Sequence, residues 1–107
     1  MPLDRYQLAL DTMIGDIVQL ELLAAEHAAE AKTSGETDEG SAADIRARCV
    51  AAEASVIAKM TKRVMRADLA VREPRMSLTE RKGVIDFRFN QAIAAARRRL
   101  QSESKAS

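Results

Sequence analysis

The chain has 107 residues, room for one small domain and too few for two. Of its 50 hydrophobic residues 20 are alanine and only three are aromatic, so any core it builds is thin. The formal net charge of +1 hides a division: residues 1–41 hold nine acids against Arg5 and Lys32, a balance of −7, and the remainder holds seven acids against fifteen bases, a balance of +8. Such a split favours attraction between segments, within one chain or between copies.

Cys49 is the single cysteine, which excludes an internal disulfide. No run of about 18 apolar residues is present to span a bilayer, and the first residues lack a signal peptide's basic start and apolar middle. A cytoplasmic protein with no membrane partner is therefore expected. Twelve arginines against five lysines, with abundant alanine, suit a GC-rich bacterial, plasmid or phage genome.

The first predicted element is a helix over about 2–31, with Pro2 in its first turn. Tyr6, Leu10, Met13, Ile17, Leu20, Ala24, His27 and Ala31 recur at alternating steps of four and three, the seam of a heptad repeat. Ile14, Val18, Leu22 and Ala25 widen that stripe, so more than one partner helix is needed to cover it. Gly15 interrupts the helix at a cost of about 1 kcal/mol relative to alanine, and suggests close approach of another backbone.

Residues 32–41 (KTSGETDEGS) have two glycines, no large apolar side chain and a cluster of acids, and read as the acidic loop of a hairpin. Ser41 with Asp44 three residues on marks the start of a second helix over about 42–72, stopped by Pro74. Its apolar line is Ile45, Cys49, Ala52, Val56, Met60, Val64, Ala67 and Val71, on which Cys49 reads as a small buried residue. After a turn at 73–77, Ser77-Leu78-Thr79-Glu80 matches a capping box and opens a third helix over about 78–101. Ile85, Phe89, Ile93, Ala96 and Leu100 form its apolar line, with Val84 and Phe87 beside it, and 102–107 reads as a frayed tail. The expected fold is a single all-α domain over 1–107: a long antiparallel helical hairpin plus a third helix. A monomer burying so little large apolar volume is marginal, so the bundle is expected to be completed by homodimerisation.

Catalytic chemistry finds little to work with. His27 is the only histidine, and the Glu-x-x-His ligand pair of bundle metal sites fails because Ala24 stands three residues before it. Cys49 has no Cys-x-x-Cys companion and no histidine near it in sequence. Glycines 15, 35, 40 and 83 are too scattered for a phosphate loop, and Glu36, Asp38 and Glu39 lack the ligand spacing of a calcium loop. The sequence therefore predicts a non-enzymatic protein with no cofactor and no metal.

The leading expectation is a dimeric protein–protein interaction module, a small regulator, adaptor or assembly factor, with Tyr6, Leu10, Met13, Ile17 and Leu20 at the oligomer or partner interface. The alternative is a nucleic-acid-binding accessory protein with Lys62, Arg88, Arg97, Arg98 and Arg99 as candidate phosphate contacts. Against it, bases near a helix C-terminus also stabilise the helix dipole, and no helix-turn-helix is evident. Two long helices, an acidic loop and a capped third helix are common to many small helical proteins and single out no family.

Overall fold

A computed structural model of the protein describes residues 4–33 and 42–106, with side chains as far as 103. These form three helices, α1 (Arg5–Thr33), α2 (Ala42–Arg72) and α3 (Leu78–Ala106), and no strand occurs among the described residues. The expectations for Pro2 and for Ser41 as a helix cap lie outside them, as does the loop expected at 32–41 apart from Lys32 and Thr33, which instead form the end of α1. The third helix does not end near Gln101 as its sequence suggested. It continues to Ala106, because Ser102-Glu103-Ser104-Lys105-Ala106 contains neither glycine nor proline to stop it.

Side chains fix the helix starts. Asp4 caps α1: its Oδ1 accepts the Tyr6 N–H at 3.0 Å, while its carbonyl accepts the Leu8 N–H at 3.0 Å. Ser77 caps α3 as the capping box requires, its Oγ accepting the Glu80 N–H at 3.1 Å. The Glu80 carboxylate does not reach back to the Ser77 backbone; it accepts the serine hydroxyl at 3.2 Å. Between α2 and α3, Arg81 Nη2 donates to the carbonyls of Pro74 (3.0 Å) and Glu73 (3.4 Å), tying the first turn of α3 to the end of α2.

The α1–α2 hairpin is antiparallel. Asp4, Tyr6 and Leu10 share a groove with Asp68, Leu69 and Arg72, while Asp16, Leu20 and Leu23 share one with Glu53 and Ile57. α3 runs in the direction of α1, with Arg88 beside Leu10 and Leu100 beside Val18 and Leu22, and packs far less extensively on either partner than they pack on each other. The core is Ile14, Ile17 and Val18 of α1 against Phe89, Ile93 and Ala96 of α3, with Ile57, Ala58, Met65, Ala92 and Leu100 at its edge. The apolar line predicted for α3 is buried or half-buried throughout, whereas Phe87 beside it is 63 % exposed.

α2 reverses the sequence reading. Its inward face is Ala43, Ala54, Thr61 and Leu69, with Ala47, Val50, Ile57, Ala58 and Met65 half-buried. The line of larger residues chosen from sequence is on the outside, with Ile45, Val56, Met60, Val64 and Val71 all exposed. The physical reason is close approach: small side chains let α1 and α2 come together along their length, and Thr61, fully buried, satisfies its hydroxyl by donating to the Ile57 carbonyl at 2.7 Å. Cys49 is correspondingly exposed.

Gly15 has no atom within 4 Å of where a Cβ would stand, so no other backbone approaches it. The molecule is elongated, 55 × 33 × 19 Å, with a radius of gyration of 17.1 Å against about 13 Å for a compact domain of this length. Its accessible surface of 7972 Å² exceeds by about 2,000 Å² the roughly 5,900 Å² of a typical monomer of its mass.

Candidate functional site

The outward face of α2 carries five of the ten large apolar side chains exposed among the described residues. At 100° per residue, Ile45, Cys49, Ala52, Val56, Met60, Val64, Ala67 and Val71 fall on one side of the helix, away from the face that holds Ala54 and Thr61 against α1. From Ile45 to Val71 the stripe spans 27 residues, about 39 Å at 1.5 Å per residue. Two opposite charges flank it: Glu53 on the α1 side, in the groove with Asp16, Leu20 and Leu23, and Arg63 on the α3 side, in the cleft with Lys82 and Asp86. Neither has an ion-pair partner among the described residues.

Of the five residues proposed from sequence as an interface, two are buried within the chain and three keep part of their surface exposed. Leu10 is 8 % and Ile17 2 % exposed, and Tyr6, Met13 and Leu20 are half-buried. α2 covers one flank of this stripe and α3 covers Ile14 and Val18 on the other, while Leu22, 50 % exposed, and Ala25 stay outside.

The five candidate phosphate contacts do not converge. Lys62 lies in a cleft of about 500 Å³ between α2 and α3, lined by Lys59, Lys62, Arg63, Arg66 and Lys82 with Ile85 and Asp86. Its Nζ is 3.4 Å from Asp86 Oδ1 and 4.8 Å from the centre of the Phe89 ring, and its stem and charge cap that end of the core. Arg88 lies in a separate groove, which shares only Ile85 with that cleft, beside Asp4, Asp11, Asp68 and Arg72. Arg97 donates to Glu21 Oε2 at 2.8 Å, and Arg99 shares a groove with Asp11 and Glu103. Arg98 is exposed and stands apart from both. The Arg97–Glu21 contact is also the one ion pair among the described residues that joins acidic α1 to the basic helices.

Lys59, Lys62, Arg63 and Arg66 of the basic cleft recur at i, i+3, i+4 and i+7, the signature of one helix face. Lys82 joins them only through the α2–α3 packing. In the groove that holds Arg88, burial pushes the Tyr6 phenol pKa above its ordinary value, and the nearby Asp68 carboxylate adds to the shift. His27 Nδ1 is 3.6 Å from Glu30 Oε2 on the same helix. No cluster of three His, Cys, Asp or Glu side chains able to hold a metal ion is found among the described residues. None of the described helices is long and apolar enough to cross a membrane. No protein-family model matches the chain, and no curated protein or solved structure is significantly similar to it, so its function is read from this geometry.

Proposed function

We propose that the chain is a non-enzymatic, homodimeric helical interaction module, a small cytoplasmic regulator, adaptor or assembly factor, and that its contact surface is the outward face of α2. One observation carries this reading: Ile45, Val56, Met60, Val64 and Val71 are exposed along one side of a helix whose other side is already packed. Contiguous apolar surface of this length on a small domain marks a contact with another macromolecule. The excess of accessible surface supports it, since a stable interface takes about 800 Å² from each partner.

The test is the solution mass of the wild type and of Val56→Asp, by light scattering on a sizing column. Val56 is 54 % exposed, so an aspartate there costs the folded monomer little. A dimeric wild type and a folded, monomeric variant are expected. A wild-type dimer indifferent to Val56→Asp refutes the α2 face, and a monomeric wild type refutes the homodimer.

A second reading, an accessory protein that binds nucleic acid, rests on the cleft of Lys59, Lys62, Arg63, Arg66 and Lys82, where five cations face one acid. It predicts duplex binding that falls steeply with added salt and is lost when Lys59 and Arg66 are replaced by glutamate. Absent binding at low salt, or binding indifferent to salt, sets it aside.

A further inference from the structure

We propose that the cleft between α2 and α3 binds a short run of linked phosphoryl groups, as in inorganic tripolyphosphate or a nucleoside triphosphate, and that the bound anion clamps α3 to the hairpin. The site does not depend on the dimer proposed above, and it gives the cleft of the nucleic-acid reading a compact occupant. Both helices build its walls. Lys59, Lys62, Arg63 and Arg66 fall within an arc of about 100° on α2, and Lys82, Ile85 and Asp86 recur at i, i+3 and i+4 on the facing side of α3.

The charge in this cleft is unmatched. Five cations against Asp86 leave a balance of +4 in about 500 Å³, and Lys62 already occupies that carboxylate at 3.4 Å. Lys59, Arg63, Arg66 and Lys82 are exposed and have no ion-pair partner among the described residues. Elsewhere the chain matches its bases: Arg48 pairs with Asp44, Arg72 with Asp68 and Arg97 with Glu21, while Arg88 and Arg99 share grooves with acids. Like charges gathered in one cleft repel, and a polyanion placed among them turns that repulsion into attraction. Guanidinium groups at 63 and 66 can each grip two oxygens of a phosphoryl group, and the lysines add point charge. Size selects the occupant. Lys59 and Arg66 stand seven residues apart, about 10.5 Å along the helix, and the volume falls within the roughly 300–1,000 Å³ of small-molecule sites. Arg88, Arg97 and Arg99 stand in other grooves and do not extend the cleft into a track for a duplex.

The clamp follows from where the cleft sits. α3 packs far less extensively on α2 than α1 does, and Lys62–Asp86 is the one ion pair among the described residues that joins α3 to α2. An anion held by Lys59, Arg63 and Arg66 on one side and by Lys82 on the other adds a second link, and binding then stabilises the folded bundle by mass action.

The test uses the full chain at constant ionic strength, with tripolyphosphate as the probe, calorimetric titration for affinity and circular dichroism for melting. At ten times its Kd, tripolyphosphate is expected to raise the melting temperature by roughly 6–11 °C. Lys59→Gln combined with Arg66→Gln, and separately Lys82→Gln, are each expected to weaken binding tenfold or more; all three positions are exposed. Arg98→Gln, on an exposed residue outside the cleft, is expected to leave affinity unchanged. Equal weakening by Arg98→Gln overturns the cleft in favour of diffuse charge attraction. Binding that Lys82→Gln does not weaken overturns the clamp. A short DNA duplex that binds through Lys59 and Arg66 where tripolyphosphate does not overturns the compact ligand and leaves the nucleic-acid reading standing. Binding of neither overturns both, while the dimer face is decided separately by Val56→Asp.

Discussion

Alanine substitution at Gly15 and Gly83 separates two accounts of why glycine interrupts long helices here. Both residues lie inside helices, α1 and α3, where glycine is disfavoured by about 1 kcal/mol relative to alanine through backbone entropy. A methyl group at either position meets no atom within 4 Å, so no steric penalty opposes the gain. Each replacement is therefore expected to stabilise by about 1 kcal/mol, and because the sites are on different helices the pair should sum to about 2 kcal/mol. For a domain of this size each kcal/mol moves the melting temperature by about 4–8 °C, so the double variant should melt roughly 8–16 °C higher by far-ultraviolet circular dichroism. Gly15 is the sharper test: it lies in a groove with Gln19, Ala96 and Leu100, where a methyl meets no conflict. A Gly15→Ala variant that melts lower than wild type refutes the reasoning, since only a backbone or partner pressed against that position would make the methyl costly.

Three further outcomes follow from the packing. Ile17→Asp should abolish the helical signal instead of yielding a folded monomer, since a carboxylate at a site 2 % exposed lacks any partner and costs on the order of 4–5 kcal/mol; a folded variant would remove Ile17 from the core. Ser77→Ala, which deletes the acceptor for the Glu80 N–H, should lower unfolding free energy by about 1 kcal/mol in urea titrations, and an unchanged midpoint would deny the cap any weight. Tyr6 is the only tyrosine and tryptophan is absent, so its phenolate can be followed by ultraviolet absorbance without interference. The folded-state pKa is raised by burial and by Asp68, so this residue's contribution to stability is complete below the unfolded phenol's value of about 10 and is lost as pH rises through the higher folded value. Asp68→Asn should move the titration back toward the ordinary value, and an unshifted curve in both proteins would exclude the contact.

Local signals determined most of the fold class. The three helices, the Pro74 stop and the Ser77 cap are readable because each depends on residues within a few positions of itself. So did the apolar lines of α1 and α3, where periodicity and large side chains coincide. The sequence also contained the whole material of the α2 surface: the apolar stripe and the charges that flank it, Glu53 and Arg63, are visible in the string of letters. Its meaning was not, because α2 carries two apolar faces at helical spacing and periodicity cannot say which one α1 takes. The tertiary structure settled that by volume. The face of alanines and Thr61 admits a close neighbour, and Ile45, Val56, Met60, Val64 and Val71 were thereby left outside. The same packing buried Leu10 and Ile17, half-buried Tyr6, Met13 and Leu20, and scattered Arg88, Arg97 and Arg99 among acids while bringing Lys82 to Lys62. Where a helix bends its charges and which of its faces is covered depend on residues dozens of positions away, and only the assembled bundle brings those together.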